Sequence, residues 1–348
     1  MIVGIELGKK YAQICVKNEQ MEEPESISLV AGSENYRIPV ELDIEKKSDL
    51  QEVFRKLWKL TIPYGTKDSL EYLVFCLEEP SAELRESIQE VAEIYDIPKE
   101  KVRFVDKKEC FCVYVLNQSE DLMTYNALLI ENKGGIKEKY ILLKRSRTTP
   151  VIAEVRDITE KTLRQSFFEH RFSSVFLLGD DFEEEWMKEN LALLKNGKRV
   201  FAGKNLFVKG ACYKGMELKA QRDDYLYLGD EKVRCNIALK ANQTDEEEYI
   251  PLVEGGKNWY ESNVSVDVLL LDEPEIEFVI LPINGGERTI IPVELKELPE
   301  RPKKTTRLRI FLEFLNSSSV KLNIKDLGFG ELFPASDMNY EGELQWEQ

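Results

Sequence analysis

Histidine is almost missing from this sequence. His170 is the only one among 348 residues, so no metal site with several imidazole ligands can be assembled, and any Ser-His or Cys-His pair would have to use this one residue. It ends a predicted helix, where an imidazole commonly caps backbone carbonyls. We therefore expect no histidine-based catalysis.

Long apolar stretches are missing as well. No run of about 18 apolar residues occurs, and the first residues, Met-Ile-Val-Gly-Ile-Glu, have neither a basic flank nor a small-residue cleavage site. The composition, 43% hydrophobic and 32% charged, is that of a globular protein. The expectation is a soluble, cytoplasmic chain with two domains.

The six cysteines (15, 76, 110, 112, 212 and 235) lack C-x-x-C spacing. Without that spacing a structural zinc site is not expected, and we predict reduced thiols packed in apolar surroundings. Cys110 and Cys112 would share one face if they lay on a strand. No metal site is predicted.

Positive charge is scarce, since 48 Lys and Arg face 64 Asp and Glu, for a net charge of −16. Such a chain repels phosphate backbones and anionic lipid, so neither nucleic acid nor a membrane is expected as a partner. The acidic runs 183–185 and 245–248 lack the alternating ligand spacing of a calcium loop and are expected to be solvated.

A β-hairpin pattern occurs twice. Short β-type runs at 2–5 and 12–16 flank Gly8-Lys9-Lys10, and a similar pair at 127–130 and 139–143 flanks the turn 132–135. Each hairpin is followed by alternating strand and helix patterns. This predicts an internal duplication with halves 1–120 and 121–222.

Beyond the second half the pattern changes to short alternating β runs separated by glycine pairs and prolines. These runs predict a C-terminal antiparallel β-sandwich at 223–348. Trp259-Tyr260, on a loop of that domain, either closes its core, which is favoured, or grips an extended peptide. The stretch 301–306 is predicted to be a linker between strands.

Five segments lie in the order found in one known family, and one of them is the stretch 71–118, with its strand, turn, helix, the strand Arg103-Phe-Val105 and a packed helix. Gly4-Ile-Glu-Leu-Gly8 resembles the first phosphate loop of the seventy-kilodalton heat-shock chaperones, and Glu131-Asn-Lys-Gly-Gly135 resembles their second. Leu177-Leu-Gly-Asp180 lies where they carry a double glycine, and Lys209-Gly-Ala211 resembles their closing helix. The resemblance covers roughly residues 1 to 220.

This resemblance implies an α/β, duplicated actin-like (ribonuclease H-like) ATPase fold followed by the β-sandwich. It would place nucleotide against Gly8, Lys9, Lys10, Gly134, Gly135 and Gly179. Only 43 residues separate Gly135 from Gly179, too few for the large inserted subdomains of the family. The adenine clamp is therefore expected to be missing.

The residues that this chemistry needs are largely replaced. Glu6 and Glu131 stand for shorter aspartates that would hold hydrated Mg²⁺, and Lys107 stands for the carboxylate that resembles a water-orienting base. Asp180 replaces a glycine beside the nucleotide and brings negative charge toward a polyanion. ATP hydrolysis is therefore not expected.

Two interpretations of the hairpin lysines remain open. Lys9, Lys10 and Lys133 could neutralise phosphates in a rebuilt pocket, or they could be solvated hairpin tips, which is favoured. The favoured function is a non-catalytic, chaperone-like interaction scaffold, a pseudo-ATPase that binds a protein partner through the β-sandwich. The alternatives are a nucleotide-dependent chaperone or actin-like ATPase that uses ATP or ADP with Mg²⁺, and a structural adaptor of a larger assembly.

Overall fold

The protein divides into two compact units. The computed structural model describes residues 1–348 except 31, 43–45, 79, 146–150, 180, 181, 183, 242–247, 272, 284, 347 and 348. The N-terminal unit spans Met1–Leu226 and the C-terminal unit spans Tyr227–Gln348. The predicted boundary, 222/223, lies four residues before this division.

The first half of the N-terminal unit is built on one mixed sheet. Its order is β3-β2-β1-β5-β6, with β4 on β2; β1, β5 and β6 run parallel, and β2 is antiparallel to β1 and β3. The elements are β1 (Ile2–Leu7), β2 (Tyr11–Lys17), β3 (Glu25–Ser26), β4 (Ile38–Pro39), α1 (Lys47–Thr61), β5 (Tyr72–Leu77), α2 (Ala82–Ile94), β6 (Val102–Asp106) and α3 (Lys107–Leu116).

The second half repeats this layout. Its sheet order is β11-β10-β7-β8-β9, in which β7, β10 and β11 run parallel and β8 is antiparallel to β7 and β9. The elements are β7 (Asn126–Lys133), β8 (Ile136–Arg145), β9 (Ile152–Asp157), α4 (Leu163–Glu169), β10 (Phe172–Leu178), α5 (Glu184–Lys195), β11 (Arg199–Gly203) and α6 (Leu206–Ala220). A short strand, β12 (Leu226–Tyr227), lies at the division between the units.

The C-terminal unit consists of two four-stranded antiparallel sheets with orders β14-β13-β16-β17 and β15-β18-β19-β20. One cluster of buried side chains draws on both sheets, including Phe278 from the first and Ile310 from the second. The strands are β13 (Cys235–Ala241), β14 (Glu248–Val253), β15 (Val264–Leu270), β16 (Glu275–Pro282), β17 (Thr289–Glu294), β18 (Thr306–Asn316), β19 (Ser319–Gly328) and β20 (Asn339–Gln345).

Backbone contacts between α6 and the first half are unusually close. A Cβ atom on Gly210 would lie 2.2 Å from the carbonyl oxygen of Cys110 on α3, and one on Gly4 of β1 would lie 2.7 Å from the carbonyl oxygen of Val208. Glycine at both positions lets α6 pack against α3 and β1. The Lys-Gly-Ala motif of the sequence therefore lies at the contact between the two halves.

Several predicted elements need correction. The β-type residues at 36–42 predict a full strand from the sequence, but the structure has only β4 there, where Pro39 has no N–H to donate to a ladder. The sequence pattern predicts the helix before His170 to begin near 158, but α4 begins at Leu163, because Thr162 and Gln165 form a capping box after a turn at 158–161. Cys110 and Cys112 lie on α3 rather than on a strand, and all six cysteines are buried and free.

Among the described residues, no helix is both long enough and apolar enough to cross a bilayer.

Candidate functional site

Charged side chains meet at the carboxyl ends of the parallel strands of the N-terminal unit. Glu6 is the fifth residue of the six-residue, fully buried strand β1, and Glu78 directly follows β5. Lys107 opens α3 directly after β6, and Asp106 caps that helix by accepting the N–H of Glu109 at 2.6 Å. In α/β sheets the strand carboxyl ends are where ligands bind, so this edge is the candidate site.

The second hairpin supplies the other charged groups. Glu131 and Lys133 lie on β7, and Glu138 lies on β8, which pairs with it. Glu131 is directly opposite Glu138 in the register of this hairpin. We refer to the six residues Glu6, Glu78, Lys107, Glu131, Lys133 and Glu138 as the Lys–Glu cluster.

Lys107 is the centre of this cluster. Its Nζ atom donates to Oε1 of Glu131 at 3.0 Å, lies 3.7 Å from Oε1 of Glu78, and lies 5.1 Å from the centre of the Phe207 ring. Burial alone would lower the pKa of Lys107, but the neighbouring Glu131 and Glu6 carboxylates outweigh it and raise the pKa. The ammonium group is therefore held charged and is unsuited to act as a general base.

Lys133 binds the outer side of the cluster. Its Nζ atom lies 2.8 Å from both Glu78 and Glu138 and 3.7 Å from Glu131. The Glu138 carboxylate also accepts a 2.7 Å hydrogen bond from the Tyr140 hydroxyl. Lys133 is therefore not the free, solvated hairpin tip that its sequence position predicts, because Glu78, from the neighbouring half of the unit, lies beside it.

Glu6 is a buried carboxyl group of the site with a strongly raised pKa. Its side chain is buried, and desolvation raises its pKa to about 7, with nearby Lys107 opposing the rise and Glu131 adding to it. A neutral carboxyl group is favoured there because burial penalises the ion. Close to pH 7 the cluster therefore exchanges a proton at Glu6.

The first hairpin places its lysines differently. Gly8 donates its N–H to the carbonyl of Tyr11 at 3.0 Å, which closes the turn, and the side chains of Lys9 and Lys10 are exposed. Their carbonyls accept the N–H groups of Leu42 and Val40. For these two lysines, exposed tips match the favoured interpretation.

The glycines of the second hairpin and of β10 come together. Gly134 and Gly135 have positive φ values of 59° and 96°, and the N–H of Gly135 donates to Oδ1 of Asn132 at 3.1 Å. A Cβ atom on Gly179 would lie 2.7 Å from the carbonyl oxygen of Asn132. Three of the four glycines predicted to contact nucleotide thus lie close to Asn132, but the Gly135 N–H is used within the turn.

Some of the remaining candidates lie outside the described residues and others within them. Asp180 and Glu183 lie outside the described residues, as does most of the acidic run at 245–248. Within the described ranges, no group of three or more Asp, Glu, Cys or His side chains could hold a metal ion. His170 follows α4, where its backbone N–H donates to the carbonyl of Ser166, and its Nε2 atom lies 3.9 Å from Glu169.

The C-terminal unit contributes one polar site that sequence reasoning missed. Arg301 makes a double hydrogen bond to Asp326, at 2.9 and 2.7 Å, and Asp326 also accepts the N–H groups of Gly328 and Ser336. These bonds hold the pKa of Asp326 well below its usual range. Residues 301–305 do link two strands, since Thr306 already belongs to β18, but the side chain of Arg301 is buried against Asp326.

Comparison with known families places this chain. It belongs to a family of unknown function, whose C-terminal model (DUF5716) matches residues 41–230. A second model, a domain of unknown function (DUF8552), matches residues 232–346 and so covers nearly all of the C-terminal unit. No curated protein matches the sequence.

Solved structures give weak likenesses. The inorganic polyphosphate/ATP-glucomannokinase of Arthrobacter sp. strain KM is 9% identical over 64% of this chain and 99% of its own, with a TM-score of 0.35. A Bacteroides thetaiotaomicron protein with an actin-like ATPase fold and unknown function is 13% identical over 60% and 93%, also at 0.35. The ROK hexokinase of Thermus thermophilus is 10% identical over 63% and 99%, at 0.34. At these TM-scores none of their properties is carried over.

Proposed function

We propose that the N-terminal unit is a shortened, duplicated actin-like (ribonuclease H-like) unit that does not hydrolyse ATP, and that the C-terminal unit, a β-sandwich, binds a protein partner in a chaperone-like role. The repeated strand order supports the first part. Each half begins with a three-stranded antiparallel meander and adds two parallel strands beside its first strand. Each hairpin also carries a glutamate near the end of its first strand, at Glu6 and Glu131.

The observation that carries the proposal is the ion pair between Lys107 and Glu131. A phosphoryl-transfer site needs a carboxylate free to hold hydrated Mg²⁺ and another group to orient water. Here Glu131 accepts a hydrogen bond from Lys107 at 3.0 Å, and both side chains are largely shielded from solvent. Binding a metal ion at Glu131 would require breaking this pair and leaving the Lys107 ammonium buried beside a second cation, which is costly.

The charge of the cluster opposes a nucleotide as well. It contains four carboxyl groups and two ammonium groups, so its net charge is −2, or −1 when Glu6 is protonated. A triphosphate brings about four negative charges, and without bound cations the two would repel each other. This favours a scaffold over a nucleotide-driven machine.

Calorimetric titration of the full chain with ATP and with ADP, each with and without Mg²⁺, tests this part. We expect no binding tighter than about 100 μM, which corresponds to about −5.5 kcal/mol, and an unchanged melting temperature at millimolar nucleotide. Tighter binding that is lost in Lys133→Met or Gly134→Val, but kept in the exposed control Lys99→Met, would instead support the rebuilt phosphate pocket.

The second part concerns the C-terminal unit. It holds 24 Asp and Glu against 13 Lys and Arg in residues 227–348, so about two thirds of the net charge of −16 lies in about one third of the chain. Such a field attracts basic surfaces and speeds their encounter. Capture of a partner by the full chain, lost when residues 227–348 are deleted, would support partner binding by this unit. Capture that persists without those residues would refute it.

A further inference from the structure

The edges of the two C-terminal sheets border one groove. Strand β17 ends the first sheet and β20 ends the second, and in the described part of the chain each pairs with only one neighbouring strand. Between them lies a groove of about 500 Å³. Its floor includes the apolar side chains of Val293, Leu295, Met338 and Tyr340.

Strand β20 offers the better open edge. It runs for seven residues without a bulge in its pairing to β19, and it contains neither proline nor lysine. Strand β17, in contrast, contains Pro292, which has no N–H to offer. Proteins usually protect edges with proline, bulges or charged side chains, especially lysine; β20 has no proline, lysine or bulge, and its only charged side chains are Glu341 and Glu343.

Carboxylates define which strand can pair with β20. Glu341 and Glu343 are exposed on the same face, and within the described ranges neither forms an ion pair; their contacts run along the strand, from the Asn339 amide to Glu341 at 3.2 Å and from the Gln345 amide to Glu343 at 2.6 Å. Like charges placed directly opposite each other destabilise a sheet. A second copy of β20 is therefore a poor occupant, and a basic strand is a good one.

The two faces of an added strand would meet different surroundings. Along β20, Tyr340 and Leu344 point toward the core, whereas Glu341 and Glu343 alternate with them. Since side chains alternate along a strand, a strand paired to β20 would place every second side chain beside these carboxylates and the others over the groove, where apolar side chains such as Met338 lie among polar ones such as Glu294. Basic residues already lie near this edge, because Lys321 of β19 is directly opposite Glu343 and Lys296 lies 3.4 Å from Glu294 at the β17 side.

We propose that the β20 edge binds an extended segment of a partner protein in which basic and apolar residues alternate, by adding it as a fifth strand to the sheet β15-β18-β19-β20. Backbone hydrogen bonds along the edge would give affinity, and the Glu341 and Glu343 carboxylates with the adjoining groove would give selectivity. This inference rests on the proposed partner binding by the C-terminal unit and names the chemistry of that partner.

Fluorescence polarisation with a labelled Lys-Val-Lys-Val-Lys-Val-Lys peptide and the full chain tests the proposal. We expect binding that weakens as salt rises, and no comparable binding of Glu-Val-Glu-Val-Glu-Val-Glu. Replacing the central valine of the basic peptide by proline should also weaken binding, because it removes a backbone donor.

Matched variants locate the site. The double variant Glu341→Gln/Glu343→Gln should weaken binding by about 3- to 10-fold, the range expected for losing two exposed ion pairs. The control Glu287→Gln/Glu300→Gln removes the same charge from exposed positions elsewhere in the unit and should leave the affinity unchanged. Amide hydrogen exchange over 339–345 should slow when the peptide is bound.

Three results would overturn the inference. They are no binding at millimolar peptide, equal weakening by the two double variants, and slowed exchange confined to strands other than β20. Dimerisation of the chain through β20 would also refute it in favour of a second copy. If partner capture needs residues 227–348 but is unaffected by Glu341→Gln/Glu343→Gln, the edge proposal falls while the proposed function stands.

Discussion

Replacing Glu6 by glutamine should stabilise the N-terminal unit, and more at alkaline pH than at acid pH. Burial raises the pKa of Glu6 from 4.5 to about 7, so between these values the folded state binds a proton that the unfolded state releases. Stability is therefore favoured at low pH and falls as pH rises from about 4.5 to about 7. Glutamine keeps the shape of the side chain and removes this titration.

The size of this stability effect follows from the shift in the pKa of Glu6. A change from 4.5 to about 7 corresponds to roughly 3 kcal/mol of destabilisation by ionised Glu6 once pH exceeds 7, of which about 2 to 3 kcal/mol develops between pH 5 and pH 8. The stabilisation by Glu6→Gln should therefore be larger at pH 8 than at pH 5 by about that amount. The Lys107–Glu131 pair remains in the variant, so the effect isolates Glu6.

Urea unfolding at pH 5 and pH 8 measures this difference. Trp58 and Trp186 report on the N-terminal unit when Trp259 and Trp346 are replaced by phenylalanine in both proteins. The control Glu86→Gln, exposed on α2, should change the unfolding free energy by less than about 0.5 kcal/mol at either pH. An equal effect of Glu6→Gln at both pH values would refute the assignment of a desolvated carboxyl group.

Two further substitutions test a close backbone contact in the N-terminal unit and a buried ion pair in the C-terminal unit. Gly210→Ala should destabilise the N-terminal unit by about 2 to 4 kcal/mol, since its Cβ would lie 2.2 Å from the Cys110 carbonyl oxygen. In the control Gly203→Ala the new Cβ meets no atom within 4 Å, so the melting temperature should stay nearly unchanged. Equal shifts of the melting temperature in the two variants would contradict the close contact. Asp326→Asn should cost the C-terminal unit about 2 to 4 kcal/mol near neutral pH by breaking its pairing with Arg301. Because the pKa of Asp326 is lowered, its contribution is present above pH of about 4 and is lost below it, so urea unfolding at pH 7 and pH 3 should show the penalty shrinking with acidity.

The hairpin layout could be predicted from the sequence because it depends on neighbouring residues. Turn glycines at 134 and 135 and short β-type runs specify β7 and β8 locally, and the same logic predicts β1 and β2. Strand β9 was missed because its sequence, Ile-Ala-Glu-Val-Arg-Asp, places Glu154 at a buried position and breaks the apolar pattern. There the carboxylate is paired with Arg156 at 2.9 Å.

The site was predicted only in part. Replacement of a carboxylate by Lys107 was visible in the sequence, but its pairing with Glu131 joins residues 24 positions apart and depends on how the two sheets pack. Glu78 offered a signal that was not used, since it follows a buried strand and must lie at the carboxyl edge of the parallel strands. Lys107 follows the adjacent strand in the same way, so the two could have been placed together.

The position of α6 has a consequence for the order in which the chain can fold during synthesis. Val208 and Cys212 of α6 pack against Ile2 and Cys15 of the first sheet, although about 190 residues of chain separate them. Until the ribosome has released α6, this face of β1 and β2 has no cover. The first half therefore emerges as an unfinished sheet, and the N-terminal unit reaches its native packing only after nearly all of its own sequence has been made.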